Sequence, residues 1–271
     1  MSGTRIDKRF EELQKQGRAG LVTFLVAGDP DFDTCLECLR TLPENGADII
    51  ELGMPFSDPM ADGPAIQAGS TRALQNGASM PRTLELLQRF RAGDSTTPVV
   101  LMGYYNPVYI YGVERFLDDA AEAGVDGLIL VDLPPEESGE ILPGAQKRGI
   151  DFIRLVTPTT DSARLPAILD GASGFLYYVS IVGITGTKAP DTGRVSKSIE
   201  ALRQHSRLPV AVGFGIRNAE QAGALGPLAD GIVVGSALVE RIADPETRSG
   251  IPGLVAELAG ALRSRNRKAT S

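Results

Sequence analysis

Short apolar runs recur along the chain, and each is followed by a stretch with helical spacing. The runs are LVTFLVAG from Leu21, ADIIELG from Ala47, TPVVLMGY from Thr97 and VDGLILVD from Val125. They continue with IDFIRLV from Ile150, GFLYYVS from Gly174, LPVAVGFG from Leu208 and ADGIVVGS from Ala229, eight in all. Segments such as TLELLQRFRAG, VERFLDDAAEAG and SARLPAILDG lie between them, and several end in glycine, the residue that most readily closes a helix. Continuous apolar strands alternating with helices predict a parallel sheet covered on its outer side. Eight such units in 271 residues predict an α/β fold, a (β/α)8 TIM barrel. A doubly wound open sheet is the alternative; it has fewer strands as a rule and carries its own phosphate signature early in the chain. The phrases GADIIELG, GVDGLILVD and LADGIVVGS resemble one another, as copies of one repeated unit do. No linker or charge run divides the chain, so residues 1–271 read as a single barrel domain. Ahead of the first run, Ile6, Phe10 and Leu13 stand at near-helical spacing and predict an extra N-terminal helix.

Composition narrows the function. Hydrophobic residues are 42% of the chain, enough for a sizeable core, which argues against disorder. The net charge of −7 argues against broad binding to nucleic acid or anionic membranes, yet leaves room for a small anion in a locally positive pocket. The N-terminus is polar and no apolar run approaches the roughly 18 residues of a membrane span, so a cytoplasmic protein is expected. Cys35 and Cys38 in DTCLECLR have redox or zinc spacing. No second pair exists, however, and the only histidine, His205, is distant, so they read as packed thiols on a helix. No metal site is expected.

The stretch ELGMPFSDPMADGP places Glu51, Asp58 and Asp62 at and beyond the end of an apolar run, in a loop stiffened by Pro55, Pro59 and Pro64. Side chains alternate along a strand. If Ile49 points into the barrel, Glu51 does too, nearer the C-terminal mouth where barrel chemistry sits. With His205 in a polar stretch and no metal cluster, carboxylates remain as proton handlers. Glycine-rich strand ends follow in VGITGTK, in GFGI from Gly213 and in GSAL from Gly235. Glycine lets backbone N–H groups approach an anion, and the last two turns follow the seventh and eighth runs, the usual phosphate position. Ser236 adds a hydroxyl where the next helix starts. The long IVGITGTKAPDTGR segment has the make-up of a lid. Its Lys188 reads as a solvated cation, since Schiff-base lysines in barrels generally sit on strands.

These motifs, with FLVAGDP, LMGYYNPV, VDLP and GITGTK, resemble the alpha subunit of tryptophan synthase in order and over nearly the whole chain. The resemblance implies a (β/α)8 barrel that cleaves indole-3-glycerol phosphate to indole and glyceraldehyde 3-phosphate. It implies Glu51 as the acid–base residue and Asp62 as the acceptor of the indole N–H. It further implies Phe24, Ile66, Tyr177 and Phe214 around ring and glycerol, and Gly186, Gly215, Gly235 and Ser236 around the phosphate. A partner is implied as well, the pyridoxal-phosphate-dependent beta subunit in an alpha2beta2 complex, facing Pro55, Asp58, Asn106 and Pro134 and receiving the indole. This chain itself is expected to carry no cofactor. One departure stands out: Ile181 and Val182 precede the lid motif where smaller or more polar residues are expected. Rival readings are an isomerase or aldolase acting on another phosphorylated metabolite, and a non-catalytic barrel that only activates the beta subunit. The presence of both Glu51 and Asp62 speaks against the last.

Overall fold

The computed structural model describes residues 3–161, 163–180, 191–213 and 215–263. Among them, the apolar runs form strands β1 (Gly20–Val26), β2 (Ile49–Gly53), β3 (Val99–Gly103), β4 (Gly127–Leu130), β5 (Asp151–Phe152), β6 (Arg154–Val156), β7 (Leu176–Val179), β8 (Val210–Gly213) and β9 (Gly231–Val234). The strands are parallel neighbours in the order β5-β4-β3-β2-β1-β9-β8-β7-β6.

The two ends of that order are consecutive pieces of one predicted run. Phe152 pairs with Leu128, and Arg154 pairs with Leu176. Between them the Ile153 N–H bonds the Leu128 carbonyl at 2.9 Å. The fifth run therefore hands the ladder from β4 to β7 at a single residue. The sheet curls into a nearly closed barrel, and eight predicted runs yield nine segments.

Alternation along the strands sorts the side chains. Val22, Phe24, Ile49, Val100, Met102, Ile129, Phe175 and Tyr177 share the interior cluster. Leu21, Leu25, Ile50, Leu52 and Leu101 pack outward under the helices. Each fully buried side chain of this size stabilises the fold by roughly 1.5–3 kcal/mol relative to exposure. The predicted N-terminal helix, Arg5–Gln16, starts with a capping box between Thr4 and Asp7. Its Ile6, Phe10 and Leu13 join the interior cluster, and the Phe10 ring lies 5.7 Å from that of Phe175. This helix closes the end of the barrel where the strands begin, which leaves chemistry to the other mouth.

The repeated phrases have a shared physical task. In each, an aspartate just before a strand accepts the N–H near the start of a neighbouring strand. Asp48 accepts from Leu21 at 2.8 Å, Asp126 from Val99 at 2.7 Å and Asp230 from Val210 at 2.9 Å. Arginines neutralise these buried or half-buried acids: Arg18 on Asp48, Arg5 and Arg91 on Asp126, Arg203 on Asp230. They satisfy backbone donors that the ladder leaves open.

Cys35 and Cys38 lie on the helix Phe32–Glu44 and are buried. Burial pushes the Cys35 thiol up to about 12, so it stays an unreactive, protonated packing group. His205 ends the helix Thr192–His205 and is exposed. Among the described residues no helix is long and apolar enough to cross a membrane, and no His, Cys, Asp and Glu cluster could hold a metal.

Candidate active site

Glu51 is the third residue of β2 and is fully buried. Neither carboxyl oxygen has a hydrogen-bond partner among the described residues. Buried acids elsewhere in the molecule are paired. Asp29, equally buried, accepts two bonds from the Arg72 guanidinium at 2.8 and 2.9 Å. A structural acid is held that way, because an unpaired buried charge is costly. Glu51 escapes the cost by keeping its proton: burial pushes its carboxyl up to about 8. It is a neutral acid at neutral pH, poised to give a proton and take one back.

The loop after β2 brings in the second carboxylate. Met54 N–H continues the ladder to the Met102 carbonyl at 2.7 Å, and the Asp62 N–H closes a turn on the Pro59 carbonyl at 3.0 Å. Gly63 then caps the helix Pro64–Gln75, whose first position is Pro64, a residue with φ already suited to that place. Gln67 Nε2 reaches back to the Asp62 carbonyl at 2.8 Å. Asp62 is thus fixed from both sides. Burial raises its carboxyl to about 6, with a hydrogen bond from the Tyr104 phenol acting in the opposite direction.

Glu51 and Asp62 line one cavity at the C-terminal mouth. Its walls are apolar, from Phe24, Ile66, Met102, Tyr177 and Val233, and Gly215, Gly235 and Ser236 also line it. Gly215 has φ +80°, a conformation that favours glycine. Gly235 is the N-cap of the helix Ser236–Ala243, and no side chain caps it. The first-turn N–H groups and the helix dipole are therefore available to an anion. A Cβ on Gly213 would sit 2.1 Å from the Tyr177 hydroxyl, so the tyrosine ring occupies its place only because that strand end is bare. The arrangement joins an apolar cavity, two carboxylates and a helix N-terminus open to an anion.

Every predicted substrate or catalytic residue that is described lines this cavity. Gly186 and Phe214 lie outside the described residues, as do Ile181, Val182 and Lys188 of the lid segment. Of the residues expected at a partner face, none lines the cavity; Pro55 is half-buried, and Asp58, Asn106 and Pro134 are exposed. Met60, in the loop of Pro55 and Asp58, and Tyr109 and Ile110, on the helix Tyr105–Tyr111 with Asn106, are exposed by 84%, 60% and 76%, so these segments carry exposed apolar surface. Sequence reasoning missed Met102, Val233, Arg217 and Tyr104. Alternation from Val100 and from Gly231 points to the first two. Arg217, which follows GFGI, lines the cavity and pairs with Glu240 at its rim.

The family model described as tryptophan synthase alpha chain matches residues 10–260. Solved structures agree over nearly the whole length. The tryptophan synthase alpha chain of Legionella pneumophila subsp. pneumophila is 37% identical, with 96% of this chain and 98% of that one covered and a TM-score of 0.88. A chain of Mycobacterium tuberculosis tryptophan synthase is 35% identical, with 97% and 99% covered and a TM-score of 0.90. A structure from Aquifex aeolicus VF5 is 38% identical, with 98% and 100% covered and a TM-score of 0.89.

Proposed function

This chain belongs to the tryptophan synthase alpha-chain family, and from that premise we propose how its residues divide the work. The chain is a carbon–carbon lyase that cleaves indole-3-glycerol phosphate in tryptophan biosynthesis and forms a complex with a beta subunit. The reaction is a retro-aldol cleavage. Indole C3 gains a proton, the adjacent side-chain hydroxyl loses one, and the electrons of the broken C–C bond return to the ring.

Glu51 serves both transfers. As a neutral acid it protonates C3, and positive charge spreads to the ring nitrogen. The resulting carboxylate takes the hydroxyl proton as the bond breaks, releasing indole and glyceraldehyde 3-phosphate and regenerating the starting acid. Asp62, ionised, accepts the indole N–H. That bond strengthens as the ring becomes cationic, so it favours the transition state over the bound substrate. The apolar walls, Phe24, Ile66 and Tyr177 with Phe214, hold the bicyclic ring. Gly186, Gly215, Gly235 and Ser236 cradle the phosphate.

The single observation that carries this reading is a fully buried Glu51 with no hydrogen-bond partner among the described residues, in the same apolar cavity as Asp62. An isomerase of sugar phosphates would have little use for such a cavity. We further propose that residues 1–271 work as one cytoplasmic barrel unit that needs no cofactor of its own, pyridoxal phosphate belonging to the beta subunit. The face bearing Pro55, Asp58, Asn106 and Pro134 meets that subunit in an alpha2beta2 assembly, to which indole passes.

The test is Asp62→Asn. Turnover is expected to fall at least tenfold while binding of an indole-phosphate analogue falls far less. The chain has no tryptophan, so ligand fluorescence is read without that background. Equal turnover in the variant places the stabilisation of ring charge elsewhere.

A further inference from the structure

Tyr104 directly follows β3 and is 2% exposed. Its phenol oxygen accepts the Ala61 N–H at 3.0 Å, and its ring centroid lies 5.4 Å from that of Phe56. Both contacts fall on the loop that carries Asp62, one near each end. A phenol has a single hydrogen. With the oxygen already accepting from Ala61, that hydrogen is left to donate, and the Asp62 carboxyl is its partner.

Resting on the role given to Asp62 above, we propose that Tyr104 is the positioning residue for that carboxylate: it clamps the loop through Phe56 and Ala61 and donates its O–H to Asp62, holding the ionised carboxylate toward the cavity. The donor persists across the working range, because burial and the neighbouring Asp62 raise the phenol well above its ordinary value, with Asp132 acting in the same sense. Among the described residues, the other titratable or charged groups that share the cavity with Asp62 are Glu51 from β2, Tyr177 from β7 and Arg217 after β8. The first two stay protonated at neutral pH, one raised to about 8 and the other raised further still. Arg217 is engaged by Glu240. Among the described residues Tyr104 is therefore the donor that opposes the burial of Asp62.

The experiment uses the full chain in complex with its beta subunit, with kcat and KM for indole release measured from pH 5 to 9.5. Tyr104→Phe removes the donor and is expected to raise the acid limb of kcat by about one pH unit, the scale of one charge-assisted hydrogen bond. KM should change little. Site-specific 3-fluorotyrosine at position 104, a stronger donor that keeps the ring, is expected to move the same limb downward. It also keeps the test alive should the phenylalanine variant fold poorly. Asp62→Asn controls for titration of the substrate phosphate, and adding Tyr104→Phe to it should move the limb no further. A loss that is uniform across pH, or limbs unmoved in both Tyr104 variants, overturns the proposal while leaving Asp62 in its role. Full turnover in Asp62→Asn overturns that role, and this inference with it.

Discussion

Phe24 and Glu51 are register partners on β1 and β2, so both side chains project into the barrel at one level. The aromatic ring leans over Gly53, where an added Cβ would lie 2.6 Å from the ring tip. The neighbour of the acid is thus a hydrocarbon face, with no cation or donor in its place. That pairing explains a carboxyl poised near neutrality: the environment withholds what would otherwise stabilise the charge.

A bell-shaped pH dependence follows. In the proposed mechanism Asp62, at about 6, must be ionised, and Glu51, at about 8, must begin protonated. Turnover should therefore fall below about 6 and again above about 8. Rates of indole release across pH 5 to 10 check this. A rate that keeps rising past pH 9 contradicts the assignment of Glu51 as the acid.

The same shift has a cost in stability. The folded-state value of Glu51 is raised from 4.5 to about 8, so the folded chain holds a proton that the unfolded chain releases in that window. Stability is fully retained below about 4.5 and is lost as pH rises toward and through about 8. The whole loss is roughly 4–5 kcal/mol at about 1.4 kcal/mol per unit, and relaxation around the site reduces it. Glu51→Gln does not titrate. Urea unfolding should find it stabilised relative to the parent by a few kcal/mol more at pH 9 than at pH 5. A difference independent of pH contradicts the burial argument. Any constant offset reflects the unsatisfied amide and is separate.

On the face proposed to meet the beta subunit, Asn106 stands on the exposed side of the helix Tyr105–Tyr111, whose first N–H is held by Asp132 at 2.8 Å. Asn106→Glu should leave the lyase rate of the isolated chain within about twofold. It should weaken binding to the beta subunit at least tenfold, a typical cost of a buried unpaired charge. Titration calorimetry reads the second and an indole assay the first. Unchanged affinity removes Asn106 from the interface.

Much of this was legible in the chain. The inward direction of Glu51 follows from Ile49 two residues earlier, and the glycines that line the cavity from the bare strand ends at Gly215 and Gly235. Other features were not. The division of the fifth run at Ile153 leaves no mark, because IDFIRLV reads as one continuous run and the break arises from which neighbour each segment pairs with. The aspartates of the repeated phrases were visible as a repeat, but their acceptance of a neighbouring strand's N–H exists only once strands are side by side. LMGYYNPV offers two adjacent tyrosines of opposite fate. Tyr104 is buried against the Asp62 loop, whereas Tyr105 bonds Glu140 at 2.5 Å near the surface. Asp62 itself has no periodic signature, since its orientation depends on a turn and a proline-started helix rather than on a strand.

One measurement bears most directly on the account: indole release by Glu51→Gln, in complex with the beta subunit, alongside analogue binding. The amide keeps the shape of the acid and can neither give C3 a proton nor receive one from the hydroxyl. A loss of at least 100-fold in turnover with analogue affinity retained is the predicted result, in line with the usual contribution of one acid–base group. Turnover within a few-fold of the parent chain would contradict the claim that this carboxyl carries the proton.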